Sequence, residues 1–392
     1  MATQPKNDFL EFYTKHNISP VHQDVSDLTR HIAVRSSLYQ HLGLLPLTFK
    51  GSKVMEIAPG GGYNSLALLH WNPAMLVLVE PNPTGAKEIR ELLNAYADRW
   101  LLFEERVENL TCHESLGKFD IIICEGLIPG LNNQDEVLAK IDDFLEAGSV
   151  LVLTCMDEVS FFFEILRRFI GQVLIKRKKL HNFSDKIKLL SSVFSSHLQT
   201  LPGKKRPIED WVADNLLNPA CNNPLFSLEG CLNKLGDKYD LYNTSPKLFS
   251  DYRWYKSIVD SPINYNQLAL DQYSKYRHNL IHYKYVLGDI SSELNQKLAD
   301  LCKTIRNQCI LYEVCNDIHL EEQALEEISE NLLPQMLFVT EKISRDIAVA
   351  IKDALELLKS KHLEPDDVIL KSGFFAEAFG RGQQYISLLK RP

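Results

Sequence analysis

The residues best suited to chemistry lie in the stretch Val54 to Ser65, VMEIAPGGGYNS, where an apolar run closes on an acid, Glu56, and opens into Gly60, Gly61 and Gly62. Glycines in such a turn let the backbone come close to a ligand, and a helix beginning at Asn64 would offer unpaired N–H groups beside it. A second apolar run, Met75 to Val79, closes on another acid, Glu80, at a distance suited to a ribose diol. Together they point to a nucleotide-like ligand, with an ordinary tight turn of an α/β protein as the bland alternative. A dinucleotide fingerprint fits poorly. Gly60, Gly62 and Ser65 put serine in the third glycine place, and Glu56 would repel a pyrophosphate while suiting a ligand with a cationic end.

These groups need elements to hold them, and the pattern supplies a regular alternation. Strands are predicted at 53–57, 75–79, 100–103, 119–124 and 149–154, with helices at 64–70, 84–96 and 134–145. Such alternation implies a parallel sheet covered on both faces, with ligands at the carboxyl ends of its strands. Upstream, helices are expected over Phe9 to Lys15 and Ser26 to Leu42, with Ser26 as N-cap, Gly43 as stop, and Leu28, Ile32, Arg35 and Tyr39 at helical spacing. The turn between them is dense in polar groups, Asn17, Ser19, His22 and Gln23, and reads either as a solvated loop or as a cover for a ligand. Strand-like runs at 238–242 and 384–389 would complete a seven-stranded sheet. Only helical periodicity runs from Asn264 to His362, where Ile343, Ile347, Ile351, Ala354 and Leu358 share a face and Pro334 marks a break.

The pattern E-x-A-P-G-G-G from Glu56 to Gly62, followed by Glu80, resembles motif I and the ribose-binding acid of the class I S-adenosylmethionine-dependent methyltransferases. The likeness covers residues 50 to 155 well, and 235 to 260 and 366 to 390 by strand count. It departs at Ala58, where the family has its first glycine, and at Arg106 and Val107, where the family often has an acid and a small residue. The resemblance implies an α/β, Rossmann-like seven-stranded sheet with helices on both faces plus an all-α insertion. The implied domains are a helical cap over 1–49, a cofactor domain over 50–262, the insertion over 263–363 and a return to the sheet over 364–392. It implies S-adenosyl-L-methionine as cofactor, lined by Glu56, Ala58, Pro59, Gly60, Gly62, Asn64, Glu80, Pro81, Asn82, Arg106, Val107 and Glu125. The implied reaction is methyl transfer to a small polar acceptor, by O- or N-methylation.

If the acceptor must lose a proton, Glu125, His22 and Asp157 are the candidate bases. Trp211, Asn215, Asn218, Tyr252, Arg253 and Trp254 form a candidate acceptor pocket of flat rings and few polar groups, with packing under a long loop as the alternative. An aminopropyltransferase would want paired carboxylates beyond the fourth strand, where Glu125 stands alone; a non-catalytic scaffold on the same fold is the third reading.

Composition narrows the classes. The chain has 392 residues, 45% of them hydrophobic, and a net charge of -8. It can bury a large core, and it suits neither DNA nor long RNA as partner. Eight cysteines without a C-x-x-C pair read as small buried hydrophobes of a reducing compartment. With no basic leader and no run of about 18 apolar residues, the expectation is a cytoplasmic protein without a membrane partner, and a homo-oligomer through the helical insertion stays open. His278 and His282, four apart, would face one side of a helix, but a metal site would need further ligands, and no metal is expected. The basic clusters at 175–180 and 203–207 read as solvated charge more readily than as anion sites.

Overall fold

The computed structural model describes residues 8–19, 22–110, 116–203, 206–257 and 264–392. They fall into two units: 1–156, 219–273 and 383–392 form the first, and 157–218 with 274–382 the second.

The first unit is built on seven strands: β1 (Lys53–Ile57), β2 (Met75–Val79), β3 (Trp100–Phe103), β4 (Phe119–Cys124), β5 (Leu145–Met156), β6 (Tyr239–Ser245) and β7 (Gln383–Lys390). Their order is β3-β2-β1-β4-β5-β7-β6. The first five run parallel, while β7 is antiparallel to both β5 and β6. This is the expected Rossmann-like sheet. Beyond their first residues β1 and β2, and β4 from Ile121 onward, bury consecutive residues alike, because helices cover both faces of a parallel sheet. On one face Val54, Leu76, Leu78, Ile121 and Ile123 pack with Tyr39, Phe49, Leu68 and Trp71. Strand order reverses between β1 and β4, so the crevice for a ligand opens at the carboxyl ends of those two strands.

The helix Leu28–His41 is capped by Asp27, whose side chain accepts from the Arg30 N–H, and not by Ser26. It buries His31, Arg35 and Tyr39, a stripe at i, i+4 and i+8. β5 runs longer than expected because Leu145 already pairs with Phe119 before a bulge.

The second unit is helical throughout, as the expected all-α insertion is, but it draws on different residues. The segments 157–218 and 364–382, expected with the sheet, belong to it. The helix Phe162–Arg177 explains why: it is buried on every side from Phe162 to Ile175, too apolar for any place but the centre of a bundle. Arg168 on this helix makes a bidentate pair with Glu313 on the helix Ser292–Val314, at 2.7 and 2.6 Å. Lys176 donates to the Tyr312 and Cys315 carbonyls, which end that helix, and to Glu321. Lys178 pairs with Glu364, so much of the basic run 175–180 is used inside the unit. The other run, 203–207, lies partly outside the described residues.

Two local expectations are corrected. Pro334 does not break the chain, because a π-helical turn at Glu327–Leu332 precedes it and places it in the first turn of Leu333–Glu341. His278 and His282 do not share a helix face, since a 3-10 turn ends at Leu280; the His278 Nε2 meets the Gly288 carbonyl at 3.0 Å. Among the described residues no helix is long and apolar enough to cross a membrane.

Candidate active site at the carboxyl ends of the first, second and fourth strands

After β1 the chain turns sharply through Ala58 at φ 54°, Gly60 at φ 60° and Gly62 at φ 79°. Gly60 supplies a conformation that a side chain resists, and Gly85 supplies closeness: a Cβ on Gly85 would lie 2.8 Å from the Gly60 carbonyl oxygen. The turn is therefore pinned against the start of the helix Pro83–Leu92. Ala58 adopts the left-handed backbone despite its Cβ, at a small cost.

Glu80 follows β2 and reaches back to this turn. Its Oε2 accepts the Gly60 N–H at 2.8 Å and its Oε1 the Asn82 N–H at 2.8 Å. Each oxygen keeps a lone pair for a ligand hydroxyl. Burial, opposed by those two hydrogen bonds and helped by Glu88, holds its carboxyl up to about 7. Asn82 caps the helix through Thr84 N–H, and its Nδ2 donates to the Ile18 carbonyl at 3.0 Å.

Glu56, within β1, accepts a hydrogen bond from Ser65 Oγ at 2.5 Å. Burial, with the Ser65 bond opposing and the Glu125 charge adding, raises its carboxyl to about 7. Glu125, at the tip of β4, is held from three sides. Its Oε1 takes Arg35 Nη2 at 2.5 Å and the Tyr39 hydroxyl at 2.9 Å, and its Oε2 takes Asn64 Nδ2 at 3.3 Å. The Arg35 guanidinium is pulled down by burial but raised overall by Glu125. Its buried Nε has no partner.

The polar turn upstream lies against these strand ends. Gln23 Nε2 donates to Asn64 Oδ1 at 3.2 Å, His22 Nε2 meets Glu88 Oε1 at 3.1 Å, and His31 Nε2 meets the Tyr63 carbonyl at 3.0 Å. Of the two readings of this segment, the solvated loop is the one its contacts disfavour.

The remaining candidates lie on other elements. Asp157 is fully buried in the second unit, where its Oδ2 lies 2.6 Å from Arg277 and its Oδ1 accepts the Val159 N–H. Trp211, Asn215 and Asn218 belong to the second unit, with Trp211 edge-on to Phe379 and Asn215 bonded to the Trp211 carbonyl. Tyr252, Arg253 and Trp254 belong to the first unit, where Tyr252 is 93% exposed and Arg253 pairs with Asp251. Arg106 is half-buried, and Val107 is buried in the 3-10 turn it opens. Arg35, Tyr39, Ser65 and Glu88 were not among the sequence candidates. Arg35 carried a signal, a lone charge on an otherwise apolar helical stripe.

No family model matches the chain, and no curated protein sequence does. Solved structures that match are described as S-adenosylmethionine-dependent or other methyltransferases. PKMT2 from Rickettsia typhi, in complex with AdoHcy, matches with TM-score 0.41 and 15% identity over 66% of this chain and 51% of that one. The glycopeptide N-methyltransferase MtfA, complexed with S-adenosyl-L-methionine, matches with TM-score 0.25 and 20% identity over 27% and 49%. A precorrin-6y C5,15-methyltransferase from Geobacter metallireducens gives 0.26 and 21% over 32% and 62%. The chain thus spans about half to three fifths of the length of these neighbours.

Proposed function

We propose that the chain is an S-adenosylmethionine-dependent methyltransferase acting on a small polar acceptor at oxygen or nitrogen. The observation that carries this reading is the placement of Glu56, Glu80 and Glu125 around one glycine turn at the point where strand order reverses. Three carboxylates there repel a pyrophosphate and suit a ligand with hydroxyls and a cationic end.

The residues fit such a ligand. Glu80, already fixed by two backbone N–H groups, faces the ribose diol with its free lone pairs. Glu56 takes the ammonium of the methionine end, and the unpartnered Arg35 Nε is a donor for its carboxylate. Asn82 or Val107 would border the adenine. When bound, the cofactor supplies an activated methyl group, so the protein's own task is to orient the acceptor and exclude water. Glu125 does this by fixing Asn64 and Tyr39; with Arg35, Tyr39 and Asn64 already on its oxygens it is an orienting group before it is a base. His22, on Glu88, and Gln23, on Asn64, would help to cover the turn.

Calorimetric titration with S-adenosylmethionine tests the reading. Binding that is abolished by Gly60→Arg is the expected result. Absence of binding to the wild-type chain, or binding indifferent to that substitution, overturns it and favours a scaffold role.

A further inference from the structure

β7 runs antiparallel to β5, so its first residues arrive at the edge where β5 ends: Gln383 pairs with Met156, the last residue of β5, and Tyr385 with Thr154. Residues two apart on a strand share a face, so Gln383 and Tyr385 project together. Tyr385 packs against the core cluster that contains Tyr39. Burial and the Glu125 charge push its phenol up to about 12, with Arg35 opposing, so it stays neutral. Gln383 stands one step nearer the edge. A Cβ on Gly126, the residue after Glu125, would meet the Gln383 Nε2 at 3.4 Å and its Oε1 at 3.9 Å. Gly126 is held there by its own N–H, which donates to Thr154 Oγ1 at 2.7 Å.

The Gln383 amide is half-buried, and among the described residues nothing hydrogen-bonds it. A glutamine amide offers two donors and an acceptor oxygen, and groups of this kind withdrawn from water call for partners. In the cofactor reading above, Glu80 takes the ribose at the end of β2 and Glu56 the ammonium from β1, so the cofactor lies across those strands and the β4 side is left for the acceptor. Gln383 lies on that side, against the residue that follows Glu125. Resting on that reading, we infer that Gln383 binds the methyl acceptor, and that the group it binds is uncharged and carries both a hydrogen-bond donor and an acceptor, as a carboxamide or a hydroxyl does. The charges beside it at the strand ends, Arg35 and Glu125, are spent on each other at 2.5 Å. An ammonium or a carboxylate held by the Gln383 amide would give up water for a neutral partner. An ammonium would also find Glu125 already accepting from Arg35, Tyr39 and Asn64.

Saturation-transfer NMR titrations of the full chain loaded with S-adenosylhomocysteine test this, with probes that share one stem: propionamide, propanol, propylammonium and propionate. The wild-type chain should bind the amide and the alcohol and pass over the two ions. Gln383→Leu, close in size, should weaken the amide and the alcohol by about tenfold, while calorimetry shows S-adenosylhomocysteine bound as before. Gln383→Glu sets a charge in the same place and should reverse the choice, gaining propylammonium and losing propionamide, which a residue with only a packing role would not do. Neutral probes bound alike by the wild type and Gln383→Leu, a wild-type preference for either ion, or no probe bound by the loaded chain overturns the inference and leaves the cofactor reading standing. Failure of S-adenosylhomocysteine to bind the wild-type chain overturns the cofactor reading instead.

Discussion

The Arg35 guanidinium, on the helix Leu28–His41, donates to the Glu125 carboxylate at the tip of β4 at 2.5 Å, with both side chains about nine-tenths buried. A pair so placed ties this helix to the carboxyl end of the sheet. Removing one partner leaves the other charge buried and uncompensated. Arg35→Ala should therefore cost about 3–5 kcal/mol in urea denaturation, whereas Arg35→Met combined with Glu125→Leu should recover most of it. If the single and double variants lose equally, the pair is not the link described here.

Ala58 offers the opposite case. It sits at φ 54°, where a Cβ is strained, so Ala58→Gly should raise stability by about 0.5–1 kcal/mol or leave it level, although glycine ordinarily weakens a chain. Matched urea melts of the two proteins check the sign.

The site should also make the ligand-free protein more stable in mild acid. Glu56 and Glu80 hold their protons up to about 7, against 4.5 for an exposed glutamate. Between those values the folded chain binds more protons than the unfolded chain, so stability falls as pH rises through the window and flattens above it. The contribution is at most about 3 kcal/mol for each group. Glu56→Gln should reduce the slope of unfolding free energy against pH; an unchanged slope would show that Glu56 does not retain its proton.

Asp157 should behave as a structural acid. It is fully buried on Arg277 at 2.6 Å and accepts the Val159 N–H, so Asp157→Ala should cost about 3–5 kcal/mol. Hydrogen exchange should show the loss in the helices of the second unit. A full-strength fold with only turnover reduced would restore Asp157 as a candidate base.

The parts of this molecule that are legible in its sequence are those governed by short-range pattern. β1, β2 and β4 fall where their apolar runs and closing acids put them, because a strand covered on both faces needs little but its own hydrophobicity to be seen, and the edge strand β3 falls on its apolar run alone. Glu56, Glu80 and the glycine turn are visible for the same reason. Arg35 and Glu125 are 90 residues apart, and nothing local in either predicts the other. The second unit was hidden likewise: Arg168 and Glu313 join two helical stretches separated by β6 and its surroundings, so the segment after β5 read as part of the sheet domain. Ser26 and Asp27 are both good cap residues, and a one-residue phase between them is beyond periodicity.

The position of β7 bears on how the chain is made. Residues 383–390 lie between β5 and β6 and pair with both, so the two strands have no contact through the sheet until the last of the seven has been synthesised. A nascent chain carries β5 and β6 as open edges through the translation of some 138 residues after Ser245, and edges of that kind recruit other strands. Emergence of β7, rather than emergence of the glycine turn, is then the step that closes the sheet.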